Sequence, residues 1–247
     1  MSLQQITKRK PLVHCITNYV VANFTANGLL AVGASPVMAD AKEEAVQMAS
    51  IADALLLNIG TLNTETVVAM KLAGAAANAK GIPVVLDPVG VGATGYRLQT
   101  AKQLLEELDV QLIRCNAGEL AALAGVAWQA KGVDCGEGQL PVAEAAKALA
   151  NNYACLVIVT GEVDCVTDGE QVAYVAGGNA RITQITGTGC LLSALCAAVL
   201  SASEDAFRSL TALLQEYKDI AARTVGPVGS YQTALLNALE QVAEVAK

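Results

Sequence analysis

Apolar residues recur along this chain in two alternating rhythms. The short runs Leu12–Thr17, Ala54–Ile59, Ile82–Leu86, Val110–Arg114 and Cys155–Val159 have the length and continuity of buried strands. Between them, apolar positions return at helical spacing in Val20–Leu30, Ala41–Ala52, Thr64–Lys80, Leu98–Leu108, Asn116–Ala124 and Val142–Asn151. Gly28 and Gly33 mark the end of the first of these helices and Gly81 stops the third. Ser35–Met38 is broken by Pro36, so it reads as a brief strand. Strand and helix alternating at this spacing predict right-handed βαβ units, hence an α/β fold on a central, mostly parallel sheet.

The rhythm changes in the second half. Val126–Leu140 is polar, glycine-bearing and irregular. Asp164–Thr167, Gln171–Val175 and Ala180–Thr183 are short segments separated by Asp168-Gly169 and Gly177-Gly178, which predicts an antiparallel meander at one sheet edge. From Cys190 onward the pattern is helical, with a break at Gly226-Pro227-Val228-Gly229. There is no repeat, linker or low-complexity run, so residues 1–247 read as a single domain.

Composition sharpens this picture. A hydrophobic share of 53% against 16% charged residues implies a sizeable core, and with only 4% aromatics that core is built from Ala, Val, Leu and Ile. A net charge of −7 leaves no basic footprint for nucleic acid, so any anionic ligand needs local donors. The seven cysteines (15, 115, 135, 155, 165, 190 and 196) include no C-x-x-C pair and no zinc spacing. They read as reduced, mostly buried thiols of a cytoplasmic protein.

Leu12–Ala39 and Ile182–Ser203 carry no charge. His14, Asn18, Asn23, Asn27 and Pro36 interrupt the first, and the apolar run of the second, Cys190–Leu200, is shorter than the roughly 20 residues a span requires. Lys8-Arg9-Lys10 before Pro11-Leu12-Val13 imitates a signal sequence, but His14 and Asn18 break the apolar segment. Neither a membrane span nor a signal peptide is expected.

The chemistry gathers behind the strands. Asn18, Asp87, Arg114, Asn116, Thr160 and the loop Gly187–Cys190 each follow an apolar run, and in a parallel sheet ligands bind beyond the carboxyl ends of strands. Thr186-Gly187-Thr188-Gly189-Cys190 opens the uncharged helix Leu191–Leu200, so free N–H groups point into a tight turn suited to phosphate, unless the glycines serve packing alone. Arg114 suits bidentate phosphate binding or an exposed ion pair. Asn116 and Glu119 fit a helix capping box; Glu119 with Asp87 also fits Mg²⁺ held beside phosphates, while Asp87 before Pro88 is an ordinary turn former. His14, the only histidine, reads as a core imidazole or as a partner for Cys190, whose thiolate a helix terminus would favour.

These residues stand in blocks that resemble the hydroxyethylthiazole kinase family of the ribokinase-like superfamily. The resemblance runs through Pro11–Asn18, Asn23, Asn27-Gly28, Gly33–Met38, Leu57–Leu62, Pro83–Gly90, Arg114–Glu119, Lys131–Asp134, Thr160–Asp164 and Thr186–Cys190, in one consistent order. It implies a three-layer ribokinase-like fold with helices on both faces of the sheet. It also implies phosphorylation of the hydroxyethyl group of 4-methyl-5-(2-hydroxyethyl)thiazole by ATP with Mg²⁺, in thiamine salvage, by a homotrimer with sites between subunits.

Carried over position by position, the resemblance assigns Asn18, Met38 and Gly187 to the thiazole, Arg114 and Thr160 to the nucleotide, and Asp87 and Glu119 to the metal. Gly187–Cys190, Gly189 included, would form the anion hole, with Cys190 nearest the substrate hydroxyl, where related sugar kinases resemble one another in using an aspartate base. There are two departures from the family's pattern: Cys115 replaces the glycine of an Arg-Gly-Asn motif, and Glu216, Lys218 and Asp219 stand where small residues are usual. Other readings remain: a kinase of another small heteroaromatic alcohol, a binding protein without turnover, and a Cys190/His14 acyl-transfer enzyme.

Overall fold

The computed structural model of the protein describes residues 2–126 and 141–244. The chain runs α1 (Ser2–Arg9), β1 (Leu12–Ile16), α2 (Ala22–Ala31), β2 (Ser35–Val37), α3 (Ala45–Ile51), β3 (Ala54–Asn58), α4 (Thr64–Lys80) and β4 (Val84–Asp87). Then come α5 (Gly95–Glu107), β5 (Leu112–Asn116), α6 (Ala117–Ala124), α7 (Val142–Tyr153), β6 (Leu156–Thr160), β7 (Asp164–Thr167) and β8 (Val172–Val175). A 3₁₀ turn (Ala180–Gln184) leads to α8 (Thr188–Ala202), α9 (Ala206–Arg223) and α10 (Val228–Glu244).

The strands form one eight-stranded sheet in the order β2-β1-β3-β4-β5-β6-β7-β8. All pairs from β2 to β6 are parallel, and β7 and β8 fold back antiparallel at the edge. Successive strand side chains face opposite sides, so each strand feeds two cores. Val13, Cys15, Leu56, Val85, Leu112 and Ile158 pack against α1, α2, α8, α9 and α10. Ile16, Leu55, Leu57, Leu86, Ile113 and Val157 pack against α3 to α7. Burying each such side chain stabilises the fold by about 1.5–3 kcal/mol. The result is the expected three-layer α/β architecture, and among the described residues no helix is long and apolar enough to cross a membrane.

Three local expectations change. Ala180–Thr183 is not a third meander strand: Asn179 accepts a hydrogen bond from the Arg181 N–H at 3.0 Å, Thr183 Oγ1 donates to Ala180 O at 2.8 Å, and the segment curls into the 3₁₀ turn. The helix α1 has no counterpart in the sequence reading; it is held by Leu3 and Ile6, both fully buried, and by Glu216, which accepts from the Ser2 and Leu3 N–H groups at 2.7 and 3.0 Å. The fifth strand is shifted to Leu112–Asn116, so that Asn116 both ends it and caps α6. Most of the irregular stretch expected at Val126–Leu140 lies outside the described residues, as do Lys131–Asp134 and Cys135.

Candidate active site

Strand parity decides which side chains meet. Register sets Asn58 beside Asp87 and Asn116 beside Thr160. Leu56, Val85, Leu112 and Ile158 all face the α8 layer, so Asn58, Asp87, Arg114 and Thr160, each two residues further on, project to that side. The amino end of α8 lies over these strand ends. His14 has the opposite parity, one residue from both Val13 and Cys15, and its Nε2 lies 2.6 Å from Ala39 O. It is fully buried, its Nδ1 has no partner, and burial lowers its pKa. The His14–Cys190 pair of an acyl-transfer site is therefore not formed.

Two glycines shape the start of α8. Gly187 caps the helix at φ 93°, and a Cβ there would stand 2.8 Å from Val21 Cγ1 and 3.1 Å from Phe24 Cδ1 of α2. The first helical bond runs from Leu191 N to Gly187 O at 2.8 Å, so the N–H groups of Thr188, Gly189 and Cys190 precede it and stay available to an anion. A Cβ on Gly189 would stand 2.7 Å from Arg114 Nη1 and 2.9 Å from Nη2. The guanidinium thus lies against the helix terminus. Gly189→Ala is expected to displace it and lower activity about tenfold or more, since ångström-scale misplacement is costly in a positioned site. The melting temperature should barely move; steady-state kinetics beside a thermal melt check this.

Arg114 is nearly enclosed, with 12% of its side chain exposed. Its Nη2 donates to Thr160 Oγ1 at 2.5 Å and Nη1 lies 3.7 Å from Asp87 Oδ1. Burial alone would lower its pKa, but the negative charges of Asp87 and Glu119 outweigh that and keep the cation. Asp87 is fully buried. Its Oδ2 accepts from Asn58 Nδ2 at 2.7 Å and Ser193 Oγ at 2.9 Å, while Oδ1 has no hydrogen-bond donor. Burial raises its pKa, only partly offset by Arg114 and these donors.

Glu119 fulfils the capping reading. Its Oε2 accepts from Asn116 N and its backbone N–H donates to Asn116 Oδ1, both at 2.9 Å, completing the capping box. Its Oε1 reaches out to Gly90 N at 2.9 Å, tying α6 to the loop after β4. Burial and the neighbouring Asp87 charge raise its pKa.

Cys190 is one turn from Ser193, with Sγ 3.6 Å from Asn18 Nδ2. The same Nδ2 donates to Asn58 Oδ1 at 2.9 Å, so Asn18, Asn58, Asp87 and Ser193 form one continuous network. The thiolate that the acyl-transfer reading needs is not favoured: burial, helped by the Asp87 charge, pushes the Cys190 pKa up to about 11. Asn58 and Ser193 were not singled out from sequence, although Asn58 ends its strand as Asp87 does and Ser193 carries the one hydroxyl of Leu191–Leu200. Arg97 frames the site from outside, donating to Ile59 O, Val89 O and Gly60 O at 2.7 Å each. Met38 lies past β2 at the sheet edge and packs on the α8-side core. Cys115 is fully buried in the opposite layer, so its thiol does not crowd the site face.

A mostly parallel sheet whose strand ends face a glycine-opened helix is the architecture this chain shares with ribokinase-like proteins. A ribokinase-like superfamily protein from Enterococcus faecalis shares the fold with a TM-score of 0.67 at 13% identity, covering 95% of this chain and 87% of that one. The ADP complex of Bacillus subtilis pyridoxal kinase shares it with a TM-score of 0.69 at 19% identity, covering 89% and 94%. Within that class the chain belongs to the hydroxyethylthiazole kinase family, whose model matches residues 3–245. It is 54% identical over 247 residues to the hydroxyethylthiazole kinase of Lysinibacillus sphaericus, covering 99% of this chain and 97% of that one. The solved hydroxyethylthiazole kinase of Pyrococcus horikoshii superposes with a TM-score of 0.88 at 37% identity, covering 97% and 91%.

Proposed function

We propose that this enzyme transfers the γ-phosphoryl group of ATP to the hydroxyethyl oxygen of 4-methyl-5-(2-hydroxyethyl)thiazole, releasing ADP, as a cytoplasmic step of thiamine salvage. Membership of a kinase family supports the reaction class. The observation that carries the site assignment is the seat formed where the Arg114 guanidinium, held by Thr160, meets Gly189 at the open end of α8. Phosphoryl transfer asks a protein mainly for positioning and charge neutralisation. Here Arg114 and Thr160 hold the nucleotide phosphates, and the N–H groups at Gly189 and Cys190 stabilise the oxygens of the passing phosphoryl group. Asn18, Met38 and Gly187 hold the thiazole.

Asp87 and Glu119 would hold Mg²⁺. The donor set fits: both carboxylates are buried with raised pKa values, the condition an added cation relieves, and Asp87 Oδ1 has a free lone-pair side. Among the described residues no group of three or more His, Cys, Asp or Glu side chains is placed to hold a metal, so an ion here would take its other ligands from water and phosphate. When bound, such an ion neutralises phosphate charge.

Cys190, next to Asn18, positions the substrate hydroxyl, whose proton passes to an oxygen of the transferred phosphoryl group. Because its pKa is pushed up to about 11, it enters the reaction as a thiol. Cys190→Ala is expected to slow kcat by no more than about 10²-fold, the scale of a lost positioning contact, and Cys190→Asp, which supplies the base that the thiol is not, to keep or raise it. The wild-type kcat should not climb tenfold per unit between about pH 7 and 9, as a thiolate base would require. An inactive Asp variant with normal thiazole binding would show that the residue at 190 does not face the substrate hydroxyl.

A homotrimer with sites between subunits suits the surface beside Asn18 and Met38. Tyr19 and Val20 are 81% and 58% exposed, and Val46 and Ile51 of α3 are 45% and 63% exposed. Light scattering decides the assembly. The substrate is tested by ADP formation across thiazole, pyrimidine and pyridine alcohols with Mg-ATP. The thiazole should give the highest kcat/KM; a faster pyrimidine methanol would reassign the substrate, and binding without ADP would leave a binding protein.

A further inference from the structure

Two consecutive residues of α9 reach in opposite directions, each to a wall of the site. Tyr217, 5% exposed, donates its hydroxyl to Thr188 O at 2.9 Å, inside the first turn of α8. Lys218, 9% exposed, donates Nζ to Gly161 O at 3.1 Å and Glu162 O at 3.0 Å and lies 3.2 Å from Asp164 Oδ1. Asp164 Oδ1 in turn accepts from Gly161 N at 2.9 Å. All three ammonium donors therefore close on one turn, Gly161–Asp164, which begins immediately after Thr160. Thr160 is the residue that holds Arg114.

A buried lysine is costly unless its charge and donors are satisfied, and an isolated lysine–aspartate pair is weak grounds for stability. The bonds to two backbone carbonyls are what a simple ion pair does not need. They fix the path of the strand-end turn. We propose that Tyr217 and Lys218 act as a ruler, setting the distance between the anion loop at Thr188 and the turn after Thr160, and that Lys218 is thereby a positioning residue for the nucleotide. This rests on the nucleotide reading given above, in which these two walls bracket the phosphates. Among the described residues, Asn18, Met38 and Gly187, given above to the thiazole, are joined to neither Tyr217 nor Lys218 by a hydrogen bond.

The test separates nucleotide affinity from everything else. Lys218→Met, and Lys218→Met combined with Asp164→Asn so that no carboxylate is left stranded, are assayed for ATP KM, thiazole KM and kcat, with ADP binding by calorimetry. Losing charge-assisted bonds of this kind is expected to raise ATP KM and weaken ADP binding about tenfold, with kcat and thiazole KM within about twofold of wild type. Tyr217→Phe should shift ATP KM the same way by a smaller factor. If Lys218→Met alone does not fold, the double variant carries the result. ATP KM within twofold of wild type in a folded double variant would overturn the inference, as would an equal loss in both KM values and kcat. Wild-type enzyme that binds no ADP in the same titration would instead remove the nucleotide reading, and the ruler with it.

Discussion

Arg114→Met is expected to lower kcat/KM by about 10²–10³-fold, the usual loss when one preorganised donor is taken from a developing anion. The side chain performs two tasks that methionine cannot. It presents a planar fork that bonds Thr160 and lies against the amino end of α8, and it is the cation 3.7 Å from the fully buried Asp87. Lysine should not restore activity, because a single ammonium cannot span both partners. Stability falls as well, and its pH dependence is diagnostic. Arg114 lowers the Asp87 pKa against the upward push of burial, so its removal raises that pKa further. A carboxylate whose folded pKa is raised favours the folded state below its unfolded value, and that contribution is lost as pH rises through the folded pKa. The deficit of the variant against wild type should therefore be larger at neutral pH than in mild acid. Thermal melts at both pH values with steady-state kinetics test this, and near-normal kcat/KM would remove Arg114 from the site.

Asp87→Asn separates function from folding even more sharply. Activity should fall about 10³-fold, on the order of the several kcal/mol that a held cation supplies to phosphoryl transfer. Stability should fall by only about 1–3 kcal/mol, because the amide oxygen still accepts from Asn58 and Ser193, while Arg114 loses its nearest counter-charge and keeps that of Glu119. A well-folded, nearly inactive protein is the expected result. If activity survived, the metal assignment would pass to Glu119 alone or fail; if the fold collapsed, Asp87 would be primarily a structural anchor.

Asn116 and Glu119 show how far a sequence can be read. Their spacing announced a capping box, and the box is present, because capping is chemistry between neighbours along the chain. That Glu119 also reaches Gly90 depends on a loop 29 residues away. Asn58 and Ser193 were passed over for the same reason, since their partner Asp87 lies 29 and 106 residues distant. Ala180–Thr183 looked strand-like between its glycines, and the Asn179 cap and a tertiary bond from Arg181 Nη1 to Gly226 O at 2.7 Å decided otherwise.

The sequence by itself determined the strand and helix alternation, the parallel sheet, the glycine-opened α8 and the family, because periodicity, turn chemistry and motif order belong to contiguous residues. Tertiary structure alone decided which face each polar side chain shares, that His14 and Cys190 lie on opposite sides of the sheet, and that burial pushes the Cys190 pKa up. Those properties follow from strand parity and burial, and both are fixed only when distant segments have packed together.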